Sequence, residues 1–586
     1  MRATLWGIAI GVIAACLCAL PAVEGAQQTA PAAKAASAKA EVVGYRIAGV
    51  VVDAATGTPV PGAELFITEA AAELQVTSDE QGRFVFAGLE PGKYAVTATA
   101  PGFVREAFNE HRGYSTAMAV GPGLDSEHMS FRLHRQAVVT GTVTDELGEP
   151  VRKAQVWLFV EDRLTGKTAV RMTWQTQTDD LGTYRFPHLQ AGKYFVAVSA
   201  RPWYAQSQLL QQQTALNLQA QGSEGDGGSQ PMVGRSLPEL AALKTDRELD
   251  VVYPTTFYPG VSDEHEAGEV VLATGQTEQA DVRLQAVPAA HLLLTNLPKR
   301  DKDNPGVGIG AMEKMFGAFS TGLPVVVGEV APGVYEVAGV PPGRVSLNVS
   351  ENRGGEWQNR TIHADARDGD SIDAGAAGLG GTVSGKVILA EGNATGVQGN
   401  VFLTSPESQT TSRNLQKDGS FSMAGVEAGT YEVQVNLQPG APDDYVESVT
   451  GTGAKVDGQS VKVESTGDAQ LVIRMGRGLG QIKGVVKGDG KPEAGVMVLL
   501  VPAEPGSREY VERRARMDQS DSDGTFTLGR VLPGKYVLMA IEDGWELDWE
   551  NEEVLRPYKE KGQSIEVGAH EVKSVEVGAE KRVGSQ

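Results

Sequence analysis

The segment GRFVFAGLEPGKY, residues 82–94, is the clearest structural signal in this 586-residue chain. Its first half alternates apolar with variable residues, which is typical of a half-buried β-strand. Gly88 and Pro91 then favour a chain reversal, because glycine tolerates positive φ and proline fixes φ near about −65°. The apolar alternation resumes from Tyr94 to Ala98. The segment therefore predicts a β-hairpin.

The same hairpin signal recurs along the chain, and in each copy two glycines stand ten positions apart. The further copies are GTYRFPHLQAGKY at residues 182–194, GSFSMAGVEAGTY at 419–431, GTFTLGRVLPGKY at 524–536 and the degenerate GVYEVAGVPPGRV at 333–345. A repeat of this kind indicates tandem units of one architecture. We therefore predict five hairpins, one in each of five units.

A second recurring element precedes four of the hairpins and predicts two more strands joined by a polar turn. It opens at Gly49, Gly141, Gly385 and Gly484. Each unit also closes with an apolar-alternating segment, which gives about seven strands in roughly 100 residues, the size of a Greek-key β-sandwich. The predicted fold class is all-β, a tandem array of about five seven-stranded Greek-key β-sandwiches.

The spacing of the repeats predicts the boundaries of the units. The predicted sandwiches cover residues 45–135, 136–288, 289–379, 380–476 and 477–582. The second unit is long because it carries an insertion at 205–249, in which residues 207–221 have some helical spacing and 222–230 have the composition of a disordered linker. The third unit lacks the opening glycine element and is the degenerate copy.

The amino terminus predicts export from the cytoplasm. Arg2 precedes an apolar run from Leu5 to Leu20, and the small residues Val23 and Gly25 fit signal-peptide cleavage after Gly25. Residues 1–25 are therefore a predicted signal peptide, and residues 26–44, rich in alanine, glutamine, proline and lysine, are a predicted flexible lead-in.

The run ending at Cys16 offers a rival interpretation of the amino terminus, because it resembles the lipobox of bacterial lipoproteins. Cys16 would then be lipidated, although the apolar run continues past it. Cys16 and Cys18 are the chain's two cysteines, so cleavage after Gly25 would leave a mature chain with no cysteine and no disulfide. No later segment has about 18 uncharged apolar residues, so the sequence predicts membrane attachment only through lipid on Cys16.

The net charge of the chain indicates which classes of partner it can bind. The formal net charge is −22, from 52 basic and 74 acidic side chains that are scattered along the chain. A field of this sign repels phosphate backbones, so we predict no nucleic-acid partner.

The combined motifs of the first unit resemble the carboxypeptidase regulatory-like domain. They are Gly-x-Val-x-Asp from Gly49, Asp-x-x-Gly-x-Phe from Asp79 and Gly-Leu-x-Pro-Gly-x-Tyr from Gly88. The first, second and fifth units match well, the fourth moderately and the third poorly. The resemblance implies a transthyretin-like sandwich, similar also to starch-binding-domain-like and collagen-adhesin B-type modules. The family occurs beside zinc peptidase domains, before outer-membrane barrels and in tandem arrays of exported bacterial proteins, and this chain is similar to the last kind.

The sequence has no recognisable catalytic or metal-binding motif. None of the eight histidines is followed at the third position by glutamate, as the zinc peptidase associated with this fold would need. His265, between Glu264 and Glu266, is predicted to lie on a solvated loop. No P-loop or Rossmann pattern is found, so we predict no cofactor and no enzyme.

Two further sequence patterns suggest special chemistry, and each has a plainer interpretation. Asp521 to Gly524 resembles a calcium loop, but Gln519 and Arg530 occupy the positions of its first and last ligands. We therefore predict a simple Asx turn there, as at Asp79 and Asp179. Collagen-adhesin modules can form a lysine isopeptide bond from the first strand. Lys386 and Lys483 stand near that place, and we predict that both face solvent.

Aromatic residues outside the strand pattern are the candidate ligand-binding residues, because sugar rings stack on their faces. The candidates are Trp203, Tyr204, Tyr258, Trp545 and Trp549, with Tyr253 and Phe257 nearby. Packing between sandwiches would explain them as well. Trp157, on an alternating strand, is predicted to belong to a core.

The sequence therefore predicts an exported, non-enzymatic binding, adhesion or scaffolding protein of the bacterial cell envelope. It would be periplasmic, outer-membrane-associated or extracellular, with a polysaccharide or another envelope protein as partner. One alternative is a carbohydrate-binding protein, and another is a set of accessory modules of an unrecognised hydrolase. The sequence does not define the oligomeric state.

Overall fold

The computed structural model describes residues 44–68, 73–162, 169–205, 248–299, 307–317, 319–353, 356–375, 381–389, 398–405, 411–438, 440–464, 468–504 and 508–582. The predicted signal peptide, Cys16 and nearly all of the predicted lead-in lie outside these residues. Most of the predicted insertion, including its helical and linker parts, also lies outside them.

The chain is nearly all β, and its strands pair within five groups that we call sandwiches 1 to 5. Sandwich 1 contains β1 (Tyr45–Asp53), β2 (Glu64–Thr68), β3 (Glu73–Thr77), β4 (Arg83–Leu89), β5 (Gly92–Tyr94), β6 (Val96–Thr99), β7 (Glu106–Ala107), β8 (Met118–Val120) and β9 (Met129–Leu133). Sandwich 2 contains β10 (Ala137–Thr144), β11 (Gln155–Asp162), β12 (Ala169–Gln177), β13 (Thr183–Leu189), β14 (Gly192–Ser199), β15 (Val251–Val252), β16 (Thr256–Phe257), β17 (Val270–Leu272), β18 (Thr277–Gln279), β19 (Val282–Arg283) and β20 (Val287–Pro288).

The remaining strands form sandwiches 3 to 5. Sandwich 3 contains β21 (Ala290–Thr295), β22 (Val307–Met315), β23 (Phe319–Leu323), β24 (Val326–Ala331), β25 (Val334–Val340), β26 (Gly343–Arg353), β27 (Glu356–Ala366) and β28 (Ser371–Asp373). Sandwich 4 contains β29 (Gly381–Ile388), β30 (Gln398–Thr404), β31 (Thr411–Asn414), β32 (Ser420–Val426), β33 (Gly429–Gln438), β34 (Asp444–Thr452), β35 (Ala454–Asp457), β36 (Ser460–Val463) and β37 (Ala469–Arg477). Sandwich 5 contains β38 (Gly480–Gly488), β39 (Lys491–Pro492), β40 (Met497–Pro502), helix α1 (Arg508–Arg514), β41 (Arg516–Gln519), β42 (Thr525–Val531), β43 (Gly534–Glu542), helix α2 (Glu552–Lys559), β44 (Gln563–Val567) and β45 (Val572–Lys581).

One pairing pattern is common to all five sandwiches. The first strand lies between the first strand of the repeat, to which it is antiparallel, and one or two strands near the end of the unit, to which it is parallel; in sandwich 2 these are β18 and β19. In sandwich 1 these are β4, β1 and β9, and β32, β29 and β37 repeat the arrangement in sandwich 4. Sandwich 3 shows it too, with β21 between β25 and β28. The all-β fold class is confirmed, and short strands such as β7 and β15 add to the predicted seven. The domain boundaries remain predictions, because residues 44–586 form one compact unit.

Close approach of the last strand explains the glycine that opens the repeat. A Cβ on Gly49 would lie 2.0 Å from the carbonyl oxygen of Met129, and one on Gly141 would lie 2.2 Å from that of Ala280. Because such distances are far below van der Waals contact, a larger residue would push the parallel strand pair apart.

The tyrosine that ends each well-formed hairpin segment has a local role. Its ring is buried in the core, and its hydroxyl donates to the backbone carbonyl four residues earlier, inside the turn between the two strands of the repeat. The four such residues are Tyr94, Tyr194, Tyr431 and Tyr536, with donor–acceptor distances of 2.8, 2.9, 3.1 and 2.6 Å. The strand, turn and second strand predicted in these four units are present, but the prediction that they form hairpins is wrong, because the two strands pair with other strands and not with each other. In sandwich 1, β4 pairs with β1, whereas β6 pairs with β2 in the other sheet. The local turn signal specifies a chain reversal but not the pairing partner, and the repeated tyrosine both fills the core and closes that turn.

Trp157 lies on β11, but its side chain does not belong to the core of sandwich 2. Val156 and Leu158 take the core face, so Trp157 and Phe159 point from the opposite face towards sandwich 3. The ring centroid of Phe159 lies 4.8 Å from that of Phe316, which follows β22. Trp157 is buried, as predicted, although in an interface between sandwiches.

Neither α1 nor α2 reaches the length and hydropathy that a membrane-spanning helix requires, and the same holds for any other helix in the described ranges.

Candidate functional site

Three connections meet at one end of sandwich 2 and line a groove. They are the turn after β10, the turn before β13 and the segment after β14. Two contacts hold them together: Gly182 packs against Pro150, and the Tyr204 hydroxyl donates to Glu146. β23 of sandwich 3 forms the opposite wall. The cavity has a volume of about 1190 Å³, and Trp203 stands at its edge. We call it the Trp203 groove.

Trp203 is the most exposed of the candidate aromatic residues. Its side chain is 75% exposed, whereas the neighbouring Pro202 is buried. The Ala205 amide donates to the Pro202 carbonyl at 3.0 Å, so a tight backbone turn holds the indole outward. The rings of Trp203 and Tyr204 contact each other edge to face, with their centroids 5.8 Å apart. The groove therefore presents a supported indole to solvent.

Glu146 does not line the groove but binds Tyr253, which does. The Tyr253 hydroxyl donates to one carboxylate oxygen at 2.9 Å and the Tyr204 hydroxyl donates to the other. Burial first, and then the hydrogen bond to Glu146, raise the pKa of Tyr204 to about 12 and raise the pKa of Tyr253 as well. Both phenols are therefore protonated donors at neutral pH. Sequence reasoning missed Glu146, because nothing in its turn distinguishes it from a solvent-exposed acid.

Tyr258 is not part of the Trp203 groove. It is partly buried and packs against the core of sandwich 2, and Phe257 is buried against sandwich 3. The structure thus brings Trp203, Tyr204 and Tyr253 together and separates Tyr258 from them. A role of Tyr258 in ligand binding stays a prediction.

Trp545 and Trp549 are withdrawn as ligand-binding candidates. Each is only 7% exposed, within an apolar cluster of sandwich 5. The ring of Trp545 stacks on His111 of sandwich 1, with centroids 5.2 Å apart and planes 6° apart, and it also stacks on Tyr114 at 5.7 Å. Packing between sandwiches, the alternative interpretation of these residues, explains Trp545, and packing within sandwich 5 explains Trp549.

The Asx turns are confirmed at Asp79 and Asp179. The Oδ1 atom of Asp79 accepts the amides of Gln81 and Arg83 at 2.9 and 2.8 Å, and Asp179 makes the equivalent pair of bonds. Asp521 forms the same backbone turn, because its amide donates to Thr525 and the Gly524 amide donates back to it.

The carboxylate of Asp521 has a different partner from those of Asp79 and Asp179. Its Oδ1 atom accepts the Ala117 amide of sandwich 1 at 2.9 Å, and the Ser522 hydroxyl accepts the Ala119 amide at 2.8 Å. The turn that resembles a calcium loop is therefore a contact between sandwiches 1 and 5.

Lys386 and Lys483 face solvent, as predicted. His265 is exposed on the short 3₁₀ turn Glu264–Glu266. Within the described ranges, no three histidine, cysteine, aspartate or glutamate side chains come together in a group that could hold a metal ion.

A second groove, of about 1000 Å³, lies between sandwiches 2 and 3 and contains two glutamates that sequence reasoning missed. Glu313 accepts the Thr255 hydroxyl at 2.5 Å, and Glu264 accepts the Phe316 amide. Burial, and then the nearby charge of Glu264, raise the pKa of Glu313. Each glutamate joins one sandwich to the other, so their hydrogen bonds account for them as structural residues.

His291 forms a charged cluster at the start of sandwich 3. Its Nε2 atom lies 2.7 Å from Asp250 and its Nδ1 atom 2.9 Å from Glu336, and the side chain is 16% exposed. The hydrogen bond with Asp250, followed by that with Glu336, raises the pKa of His291 to about 10. The imidazole is therefore protonated at neutral pH and donates from both nitrogens, which makes it a structural cation and not a general base.

The fold and the groove define a class of tandem β-sandwich protein with a ligand-sized surface groove. Within this class, residues 46–132 and 138–221 match the family described as "Carboxypeptidase regulatory-like domain". The family resemblance seen in the sequence is confirmed for these two segments, which fall in sandwiches 1 and 2. A comparison with curated proteins gave no match.

Several solved structures are similar to the chain at low sequence identity. The Bacillus anthracis TIE protein is 10% identical, covers 92% of this chain and 68% of its own, and has a TM-score of 0.15. GBS52, the minor pilin of Streptococcus agalactiae, is 12% identical, with 42% and 97% covered and a TM-score of 0.18. The full-length major pilin RrgB from Streptococcus pneumoniae is 9% identical, with 92% and 99% covered and a TM-score of 0.15.

Proposed function

We propose that this chain is an exported, non-catalytic binding and scaffolding protein of the bacterial cell envelope, and that the Trp203 groove holds its ligand. The observation that carries the proposal is the exposed indole of Trp203 over a formed groove. Burial in interfaces or cores already accounts for Trp157, Trp545 and Trp549. An apolar side chain held in solvent at 75% exposure, next to a cavity, is more informative than a buried one.

A polysaccharide is the ligand class that the groove supports. The flat face of a sugar ring is apolar and stacks on indole, while its hydroxyls need hydrogen-bond donors and acceptors. The groove supplies both kinds of group, including Arg152, Asp180 and Gln175 beside Trp203. Because its cations and carboxylates are mixed, the groove suits a polar ligand of low charge density.

Glu146 supports the loop that carries Trp203. It has a tyrosine hydroxyl on each carboxylate oxygen. These hydrogen bonds make Glu146 a support for Tyr204 and Tyr253, which in turn place the loop that carries Trp203.

Replacing Trp203 with alanine is expected to weaken polysaccharide binding by about 30-fold, which corresponds to about 2 kcal/mol for an aromatic anchor. Stability should not change, because the side chain is exposed. Titration calorimetry against purified envelope polysaccharides would measure the effect. Trp174→Ala is the matched control, since Trp174 is 39% exposed on β12 and does not line the groove. Equal binding by the wild type and Trp203→Ala would show that the Trp203 groove is not the polysaccharide-binding site.

Export is tested at the amino terminus. We expect the mature chain to begin at Ala26, which mass spectrometry of the protein from the envelope fraction would show. A mature chain that begins at a lipidated Cys16 would support attachment to a membrane, and an uncleaved Met1 would contradict export.

A further inference from the structure

A two-residue joint links sandwich 5 to sandwich 4. Gly478 and Leu479 alone separate β37 from β38, and Gly478 has a φ of +98°. The Arg530 guanidinium donates to the Pro442 carbonyl at 2.8 Å, and the His570 imidazole lies 3.7 Å from Asp443. A further ion pair joins Arg513 to Glu432. Exposed pairs such as His570–Asp443 contribute about 0–1 kcal/mol each, and the Arg513–Glu432 pair, with side chains 24% and 23% exposed, is the most buried of these contacts. Compared with the interface to sandwich 1, the joint is weakly restrained.

Sandwich 5 is bound far more extensively to sandwich 1. The Gln519 side chain is 1% exposed, and it forms hydrogen bonds with three residues of sandwich 1. Its Nε2 atom donates to the Asn109 carbonyl at 2.6 Å and to the Thr116 hydroxyl at 2.8 Å, and its Oε1 atom lies 3.1 Å from the His111 ring. Together with the stacked Trp545, this amide forms a buried and specific centre of the interface.

Charged side chains at the rim of the interface are complementary between the two sandwiches. Sandwich 1 contributes the cations and sandwich 5 contributes the anions. Lys93 lies 2.5 Å from Asp521, and Arg112 lies 2.8 Å from Glu546. The Ser522 amide also donates to the Ala117 carbonyl at 3.0 Å. Complementary charges of this kind fix the register of two surfaces and disfavour other pairings.

Every chain thus carries both halves of one complementary interface, and one half is attached through a weakly restrained glycine joint. We propose that two copies exchange their fifth sandwiches, so that sandwich 1 of each chain binds sandwich 5 of the other. The exchange keeps every contact between the sandwiches and changes only the joint. A single chain satisfies the interface internally when dilute, and exchange becomes favourable as the local concentration rises. The partner is therefore a second copy of this protein.

Charge reversal tests the exchange. One variant carries Lys93→Glu and Arg112→Glu, and a second carries Asp521→Lys and Glu546→Lys. Each variant alone has like charges facing each other at its own interface. In an equimolar mixture, the reversed sandwich 1 of the first variant can bind the reversed sandwich 5 of the second, while the two unchanged halves bind each other. We expect most of the mixture to have twice the mass of one chain by light scattering, and each variant alone to be predominantly monomeric.

A chain with all four substitutions is the control, because it restores opposite charges within one molecule and should behave like the wild type, as a monomer when dilute. A mixture that keeps the mass of one chain would overturn the proposal, and so would dimers of either single-sided variant alone. Should the reversed variants fail to fold, Ala117→Cys and Ser522→Cys in separate chains give a second test. The backbone hydrogen bond between these positions brings them within disulfide range. We expect a covalent heterodimer at high protein concentration, and its absence under oxidising conditions would count against exchange.

Discussion

The free energy of unfolding should fall by about 3–5 kcal/mol when Trp545 is replaced by alanine. Trp545 is only 7% exposed, and the rings of His111 and Tyr114 stack on it from sandwich 1. Removal of the indole leaves a cavity where sandwiches 1 and 5 meet. Both sandwiches lose contacts, so we also expect the first unfolding transition to move to lower denaturant concentration.

Chemical denaturation followed by circular dichroism measures this change, and Trp203→Ala is the matched control. The two substitutions delete the same atoms, but Trp203 is 75% exposed, so its replacement should change stability by less than about 0.5 kcal/mol. Equal effects of the two substitutions would show that Trp545 is not buried between the sandwiches.

Replacement of His291 by alanine should cost about 3–5 kcal/mol, the usual penalty for removing one partner from a buried ionic cluster. The Glu336 side chain is 5% exposed and would retain its charge without the imidazolium, and Asp250, at 23%, would lose the same partner. His128→Ala is the control, because His128 pairs with Asp125 but its side chain is 84% exposed. We expect no measurable loss from His128→Ala.

The His291 cluster also predicts the pH dependence of stability. Its pKa of about 10 in the folded chain exceeds the value of about 6.5 expected in the unfolded chain. The folded state therefore binds this proton more tightly, and the stabilisation is complete below about pH 6.5 and lost as the pH rises through about 10. The stability difference between wild type and His291→Gln should shrink over that range. A difference that stays constant from about pH 6 to 10 would contradict a protonated His291.

Much of the fold could be predicted from the sequence, because the relevant signals are local. The glycines and the alternation of residues 82–94 specify two strands and a chain reversal by backbone conformation and one-sided burial, both of which act over a few residues. They do not specify the partners, and the predicted hairpin is wrong because β4 pairs with β1 and β6 with β2. The hydrogen bond from Tyr94 to the Glu90 carbonyl lies inside the same segment. The sequence also shows that the opening glycine, Gly49, recurs in other units. Only the structure shows why glycine is needed there, because the Met129 carbonyl leaves no room for a side chain.

The candidate site was harder to predict, because the exposure of an aromatic residue depends on sandwiches that are distant in sequence. Trp203 follows β14 and Trp545 follows β43, the second strand of the repeat in each unit. Nothing in the local sequence pattern shows which of the two is exposed. Sandwich 1 covers Trp545 from more than 400 positions away, while Trp203 stays in solvent. Asp521 and Asp179 likewise share one turn sequence pattern, and only the neighbouring sandwich gives Asp521 a second partner.

The parallel pairing of first and last strands determines how each sandwich would respond to mechanical tension. Tension on the chain would pull the start of β1 and the end of β9 in opposite directions along their common axis, across the pairs from Gly49–Met129 to Asp53–Leu133. The hydrogen bonds between two such strands are loaded in shear and must break together, whereas an antiparallel hairpin pulled at its open end separates one pair at a time. Forced unfolding is governed by the rate of crossing the unfolding barrier, and shear loading raises that barrier. We therefore expect sandwich 1 to resist tension along the chain more strongly than a unit whose first and last strands form an antiparallel hairpin.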